Sequence, residues 1–143
     1  MSKKAASNLQ YAALPYRRSA DGTIEIMLIT SLNTKRWIIP KGWPAQGLTP
    51  RDCAAREALE ESGLVGRISD RSIGFYWYEK RLADGSTARC MVETYALAVE
   101  KQLTSWPERD RRLTKWHALQ AAADAVQEPE LRTMIQSLAA LLS

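Results

Sequence analysis

The apolar positions along the chain follow two different periods. Leu9 to Tyr16 is a largely apolar run of strand length. Thr23 to Thr30, TIEIMLIT, alternates at first and then becomes solidly apolar, with Asp21-Gly22 as the turn before it. Trp37-Ile38-Ile39 is a short apolar run stopped by Pro40. The pattern then changes. Thr49-Pro50-Arg51-Asp52 combines a hydroxyl N-cap, a proline at the first helical position and an acid three residues after the cap. This predicts a helix that runs to Gly63, a residue able to take the left-handed conformation that ends helices. Two longer strands follow, Ser72 to Arg81 with the aromatic cluster Phe75-Tyr76-Trp77-Tyr78, and Ala88 to Val99. Ala83-Asp84-Gly85-Ser86 supplies the turn between them. Leu131, Met134, Ile135, Leu138 and Leu142 recur at helical spacing and form one apolar face, which the pattern assigns to core packing. The order of strands, helix, strands and helices predicts an α/β sandwich with a mixed sheet.

Composition narrows the picture without changing it. The 143 residues suit one domain spanning 1–143, with 45% hydrophobic and 25% charged residues. Those proportions exclude a disordered chain, a collagen-like repeat and a coiled coil. No apolar run approaches the roughly 20 residues that cross a bilayer. The start, MSKKAASNLQYAA, lacks the apolar core of a signal peptide, and Cys53 and Cys90 read as free thiols. The expected compartment is the cytoplasm, with no membrane partner. A net charge of +4 favours anionic ligands. The basic residues fall in separate groups, Arg17-Arg18, Lys35-Arg36 and Arg109 to Lys115, not in the stripe that duplex binding needs. A polyanionic small molecule therefore fits better than a nucleic acid, a 5′ end excepted. Oligomeric state is not encoded in this pattern.

Chemistry concentrates in Gly42 to Leu64. At about 100° per residue, Glu57, Glu60 and Glu61 share an arc of roughly 100° on the helix. Cys53 lies near that arc, as a small buried filler, while Ala55, Ala58, Leu59 and Ser62 face the other way. Arg56 stands four residues before Glu60, within reach of its carboxylate. Clustered acids repel, and a hard divalent cation with oxygen ligands turns that repulsion into binding. The only histidine, His117, is remote, which argues against zinc. A solvated helix face is the alternative reading of the same three acids.

The spacing from Gly42 to Arg56, Glu57, Glu60, Glu61, Gly63 and Leu64 resembles the Nudix box. Leu48 stands where that pattern has its first glutamate, and Ala58 where it has an aliphatic residue. The flank Arg36 to Gly42 and the stretch Trp106 to Trp116 look like the diphosphoinositol polyphosphate phosphohydrolase branch and its small bacterial relatives. The resemblance implies a mixed sheet between helices, and hydrolysis of a pyrophosphate linkage with Mg²⁺ or Mn²⁺. The substrate would be nucleoside diphosphate-linked, a dinucleoside polyphosphate or an inositol pyrophosphate. It also implies that Glu57, Glu61 and the Gly42 carbonyl ligate the metal, that Glu60 is the base and that Arg56 orients the acids. Leu48 favours a second possibility, a catalytically weak nucleotide- or RNA-binding module of the same fold.

Outside the box, Lys41, Arg17, Arg18, Ser31, Lys35 and Arg36 are candidate phosphate donors because they precede or flank it. Alternation puts Glu93 on one strand face with Met91, Tyr95 and Leu97, where an acid needs a partner. A salt bridge, a further metal ligand or a base would each satisfy it. Glu108 has basic neighbours and reads as a surface pair. The aromatic cluster at 75–78 reads as core filling.

Overall fold

A computed structural model describes residues 8–142; the segment 1–7, on which the signal-peptide reading partly rests, and Ser143 lie outside the described residues. Among the described residues, eight strands form one mixed sheet. They are β1 (Leu9–Arg18), β2 (Ile24–Thr30), β3 (Trp37–Ile38), β4 (Lys41–Gly42), β5 (Leu64–Ile68), β6 (Gly74–Arg81), β7 (Thr87–Gln102) and β8 (Thr114–Ala118). The helices are α1 (Pro50–Ser62), α2 (Leu119–Ala125), α3 (Pro129–Gln136) and α4 (Leu138–Leu141).

The centre of the sheet is a parallel pair. β1 runs beside β7 from Leu9 opposite Met91 to Tyr16 opposite Ala98. Both strands are long enough to hold two further partners each. β1 pairs with β4 at Tyr11 and Ala12 and with β2 at Tyr16 to Arg18. β7 pairs with β6 near its start and with β5 near its end. These splits leave open ground beside β4, and a cavity lined by Lys41 and Gly42 lies there.

Each sheet face has its own core. α1 packs Ala54 and Ala58 on Ala13, Met27, Leu64, Tyr95 and Leu97. On the other face α2, α3 and α4 bring Ala122, Ala123, Leu131, Met134, Ile135 and Leu138 against Leu14, Ile26, Leu28, Tyr76 and Val92. The α/β fold with a mixed sheet is therefore as the pattern predicts. Ala58 is completely buried, and its small size lets the helix sit close to the sheet. No helix among the described residues is long and apolar enough to cross a membrane.

Three features differ from the pattern. The C-terminal apolar face is carried by two helices, because Ser137 at ψ −2 interrupts the run between Gln136 and Leu138. The aromatic cluster is not all core: Tyr76 is buried, whereas Phe75 and Trp77 point to the uncovered face of β6 and are exposed. That is strand alternation overriding hydrophobicity. Short or polar elements, β4, β5, β8 and the alanine-rich α2, carried too little periodicity to be read.

α1 begins and ends as its sequence dictates. Thr49 accepts a hydrogen bond from the Asp52 amide at 3.2 Å, and Gly63 closes the helix at φ +71. A Cβ at Gly63 would also collide with the Trp106 ring, which lies over it. Gly63→Ala should therefore lower unfolding free energy by about 2–4 kcal/mol, combining left-handed strain with overpacking. Urea denaturation measures this, and an unchanged midpoint would contradict it.

Candidate active site

The site is a cavity of about 710 Å³ between α1, β4, the β2–β3 loop and the β6–β7 hairpin. Its acidic wall comes from α1. Glu57 and Glu61, one turn apart, both line it. Glu57 packs so tightly on Gly42 that a Cβ there would collide with its carboxyl group. Glycine at 42 is thus a matter of space for a carboxylate. Glu61 is buried and accepts a hydrogen bond from the Lys41 amide at 3.3 Å. The two carboxyl groups lie within hydrogen-bonding reach of each other.

Burial dominates the electrostatics. Loss of solvent pushes the Glu61 carboxyl up to about 8, opposed by the Arg112 guanidinium and raised further by Glu57. The Glu57 carboxyl is also raised, by burial first, then by the charges of Glu60 and Glu108, against the lowering hydrogen bond to Glu61. Lys41 is pushed down to about 8 by burial, with Glu61 acting the other way. Its ammonium lies 4.6 Å from the centre of the Tyr78 ring.

The third acid of the arc goes elsewhere. Glu60 does not line the cavity; its Oε2 accepts from Arg56 Nε at 2.9 Å, on the solvent side of the helix. The hydrogen bond to Glu60 in turn raises the Arg56 pKa. Among the described residues no three His, Cys, Asp or Glu side chains converge as a group able to hold a metal. The available donor set is two carboxylates and nearby backbone carbonyls. That set still suits Mg²⁺, which retains several waters and needs only one or two carboxylates beside substrate phosphates.

The expected phosphate donors divide. Lys41, Ser31 and Arg36 line the cavity. Ser31 accepts from the Arg36 amide at 3.1 Å and its own amide donates to the Arg36 carbonyl at 2.8 Å, so the two residues fix the loop together. The Arg36 side chain donates from Nη1 to Glu128 at 2.8 Å, which gives its charge a buried partner. Lys35 is exposed, in the left-handed region at φ 55, and does not line the cavity. Arg17 and Arg18 are not part of this site. They sit at the far end of β1, six and seven residues beyond Tyr11, the partner of Gly42. Arg17 is engaged there by Glu25 at 2.8 Å and by the Trp116 ring at 4.0 Å.

Glu93 shares the expected face with Tyr95 and Leu97 and is half-buried, but does not line the cavity. Its charge lies beside Tyr11 and Tyr95, whose phenols are raised by burial first and by Glu93 second. Leu48 is exposed and also outside the cavity.

Sequence reasoning missed Arg112. This nearly buried side chain lines the cavity, donates to Glu108 at 2.7 Å and to the Thr30 carbonyl at 3.0 Å, and stands 3.9 Å from Glu61. The pair expected of Glu108 is therefore present, but it closes the acidic wall. A basic run at 109–115 was visible; which of its members turns inward was not. Gln10, Tyr78, Lys80 and Arg81, also on the cavity wall, had no local signal.

Comparison with known proteins agrees with this geometry. The NUDIX domain family model matches residues 11–138. Nudix hydrolase 16, mitochondrial, of Arabidopsis thaliana is 31% identical over 111 residues, covering 76% of this chain and 62% of that relative. Nudix hydrolase 18, mitochondrial, of the same plant is 29% identical over 136 residues, covering 91% and 75%. The chain thus spans about three-fifths of the first of these relatives. Among solved structures, a C. elegans Ap4A hydrolase binary complex superposes with a TM-score of 0.69 at 22% identity, over 94% of this chain and 96% of that one. The NUDIX domain of Shewanella oneidensis NrtR, complexed with ADP ribose, gives 0.64 at 16% identity over 94% and 88%. By sequence match and by fold, the chain belongs to the Nudix family.

Proposed function

We propose that this chain is a metal-dependent pyrophosphohydrolase acting on a small polyphosphate substrate. One observation carries the reading: Glu57 and Glu61 are pressed together at the wall of a large cavity, with burial raising both carboxyl groups. A buried carboxylate in contact with a half-buried one is costly when both are ionised, and a cation relieves that cost. Nudix hydrolases generally use divalent cations. Glu57, Glu61 and the Gly42 carbonyl would hold one, Mg²⁺ or Mn²⁺ by the chemistry of the oxygen donors. Bound there, it would neutralise phosphate charge and acidify a water.

The chain's own residues supply the rest. Gly42 leaves room for the Glu57 carboxyl, and the Lys41 amide fixes Glu61. Lys41 presents a cation to substrate phosphate from its place against Tyr78. Arg56 keeps Glu60 on the solvent side, so Glu60 serves as a base only by leaving that ion pair. The two solved neighbours named above are an Ap4A hydrolase and a NUDIX domain complexed with ADP ribose; both compounds carry phosphoric anhydride bonds, which supports the substrate class. Leu48, exposed where the family pattern has an acid, favours the second reading, a binding module that retains ligand without cleaving it.

A panel of dinucleoside polyphosphates, ADP-ribose, nucleoside triphosphates, capped 5′ ends and inositol pyrophosphates, each with Mg²⁺ and Mn²⁺, separates the two. Released phosphate species indicate the hydrolase; tight binding without product indicates the module. In the hydrolase, Glu57→Gln and Glu61→Gln should each lower kcat by at least about 100-fold. Glu60→Gln should cost less than about tenfold, because it breaks an exposed ion pair. Equal losses at all three positions would overturn this division of roles.

The pKa shifts also predict a stability profile in chelator. Glu61 is raised from 4.5 to about 8, so its contribution is complete below about pH 4.5 and is lost as pH rises towards 8. Lys41 is lowered from 10.5 to about 8, so its contribution is present above 10.5 and is lost as pH falls towards 8. Unfolding midpoints in EDTA should therefore fall between pH 5 and 8, and Glu61→Gln should flatten that limb. A limb of the same steepness in the variant would contradict the assignment.

A further inference from the structure

Five cationic side chains line the cavity: Arg36, Lys41, Lys80, Arg81 and Arg112. Two of them already have carboxylate partners, Arg36 with Glu128 at 2.8 Å and Arg112 with Glu108 at 2.7 Å. Lys41 lies against the Tyr78 ring, beside the charge of Glu61. Lys80 and Arg81, on the β6–β7 hairpin, have no carboxylate within ion-pair distance among the described residues. Glu79, next to Lys80 in the chain, also lines the cavity and forms no ion pair among the described residues; alternation puts it on the opposite face of β6 from Lys80.

The sheet register places this positive end far from the acids. Gly42 and Glu93 both stand opposite Tyr11, and Lys80 stands opposite Ala88, five residues earlier on β7. At about 3.3 Å per residue, Lys80 is offset from Gly42 by about 17 Å along the strands, with β1 and β7 between. Alternation puts Lys80 on the same face of β6 as Tyr78, whose hydroxyl donates to Gln10 at 2.6 Å. Polar residues line the cavity between the acids and Lys80: Lys41, Tyr78 and Gln10, with Thr87 and Asn33 also on its wall.

We propose that Lys80 is a second anion subsite that reads a charged group of the substrate beyond the scissile pyrophosphate. Resting on the hydrolase reading above, this narrows the substrate class to pyrophosphates that carry a further anionic group across a spacer of sugar size or larger. The cavity has an unneutralised charge at that end, and a hydrated ammonium on a long stem suits an anion whose position varies. A substrate with a neutral far end would leave that charge without a partner.

The test compares ADP-ribose with its 2′-phosphate and its 1″-phosphate, two compounds that place the added anion at opposite ends. KM and kcat are measured with Mg²⁺, and Kd by calorimetry in parallel. The wild type should favour one phosphorylated form by about tenfold or more in KM and Kd, with similar kcat. Lys80→Gln should reduce that ratio to about one. Lys101→Gln, which removes the same charge from an exposed strand end outside the cavity, should keep the wild-type ratio. A ratio that survives Lys80→Gln, or a wild type that favours neither phosphorylated form, overturns the subsite. Binding of the three compounds with the expected ratios but no product would instead overturn hydrolysis and leave the subsite standing.

Discussion

Two carboxylates packed against each other, Glu61 buried and Glu57 half-buried, are the constraint on which this site depends. Glu57 and Glu61 come from consecutive turns of α1, so their proximity follows from helix geometry alone. Their burial does not. It requires β4 to pass close over the helix, which it does because residue 42 has no side chain and Lys41 offers its amide to Glu61. An unrelieved pair of this kind would be a defect in a core. Beside a cavity it is open to a cation, as proposed above.

The sheet is built to make that cavity. β1 is longer than β2 or β4, β7 is longer than β5 or β6, and each therefore carries two partners on its outer edge. The resulting gaps open on the side where α1 presents its acids. Arg112 then closes the wall from the loop after β7, and Arg36 from the loop after β2, each with a buried or half-buried acid behind it. The cavity thus has an acidic end at α1 and basic residues along its other walls, an arrangement complementary to a cation and a phosphate chain together.

Much of this was legible in the sequence because it is local. The cap at Thr49, the left-handed end at Gly63 and the positions of Glu57, Glu60 and Glu61 are set by neighbours within one or two turns. Gly42 was legible as part of a spacing, though its reason, space for a carboxylate, was not. What failed is long-range. Glu128 meets Arg36 across 92 residues, and Arg112 meets Glu61 through a loop with no period. Arg17 and Arg18 looked close to the box in the chain, but β1 carries them to the opposite end of the sheet. Glu60 shared the acidic arc, and only its ion pair with Arg56 turned it away. Helical phase gives a side chain's starting direction; its partner decides where the charged end rests.

The central claim is that the Glu57–Glu61 pair receives a divalent cation, and Mn²⁺ binding read by electron paramagnetic resonance tests it without any substrate. Titration at pH 7.5 should show one bound ion per chain in the wild type, competed by Mg²⁺ and abolished in the Glu57→Gln, Glu61→Gln double variant. Undiminished binding in that folded double variant, or none in the wild type at millimolar metal, would contradict the account.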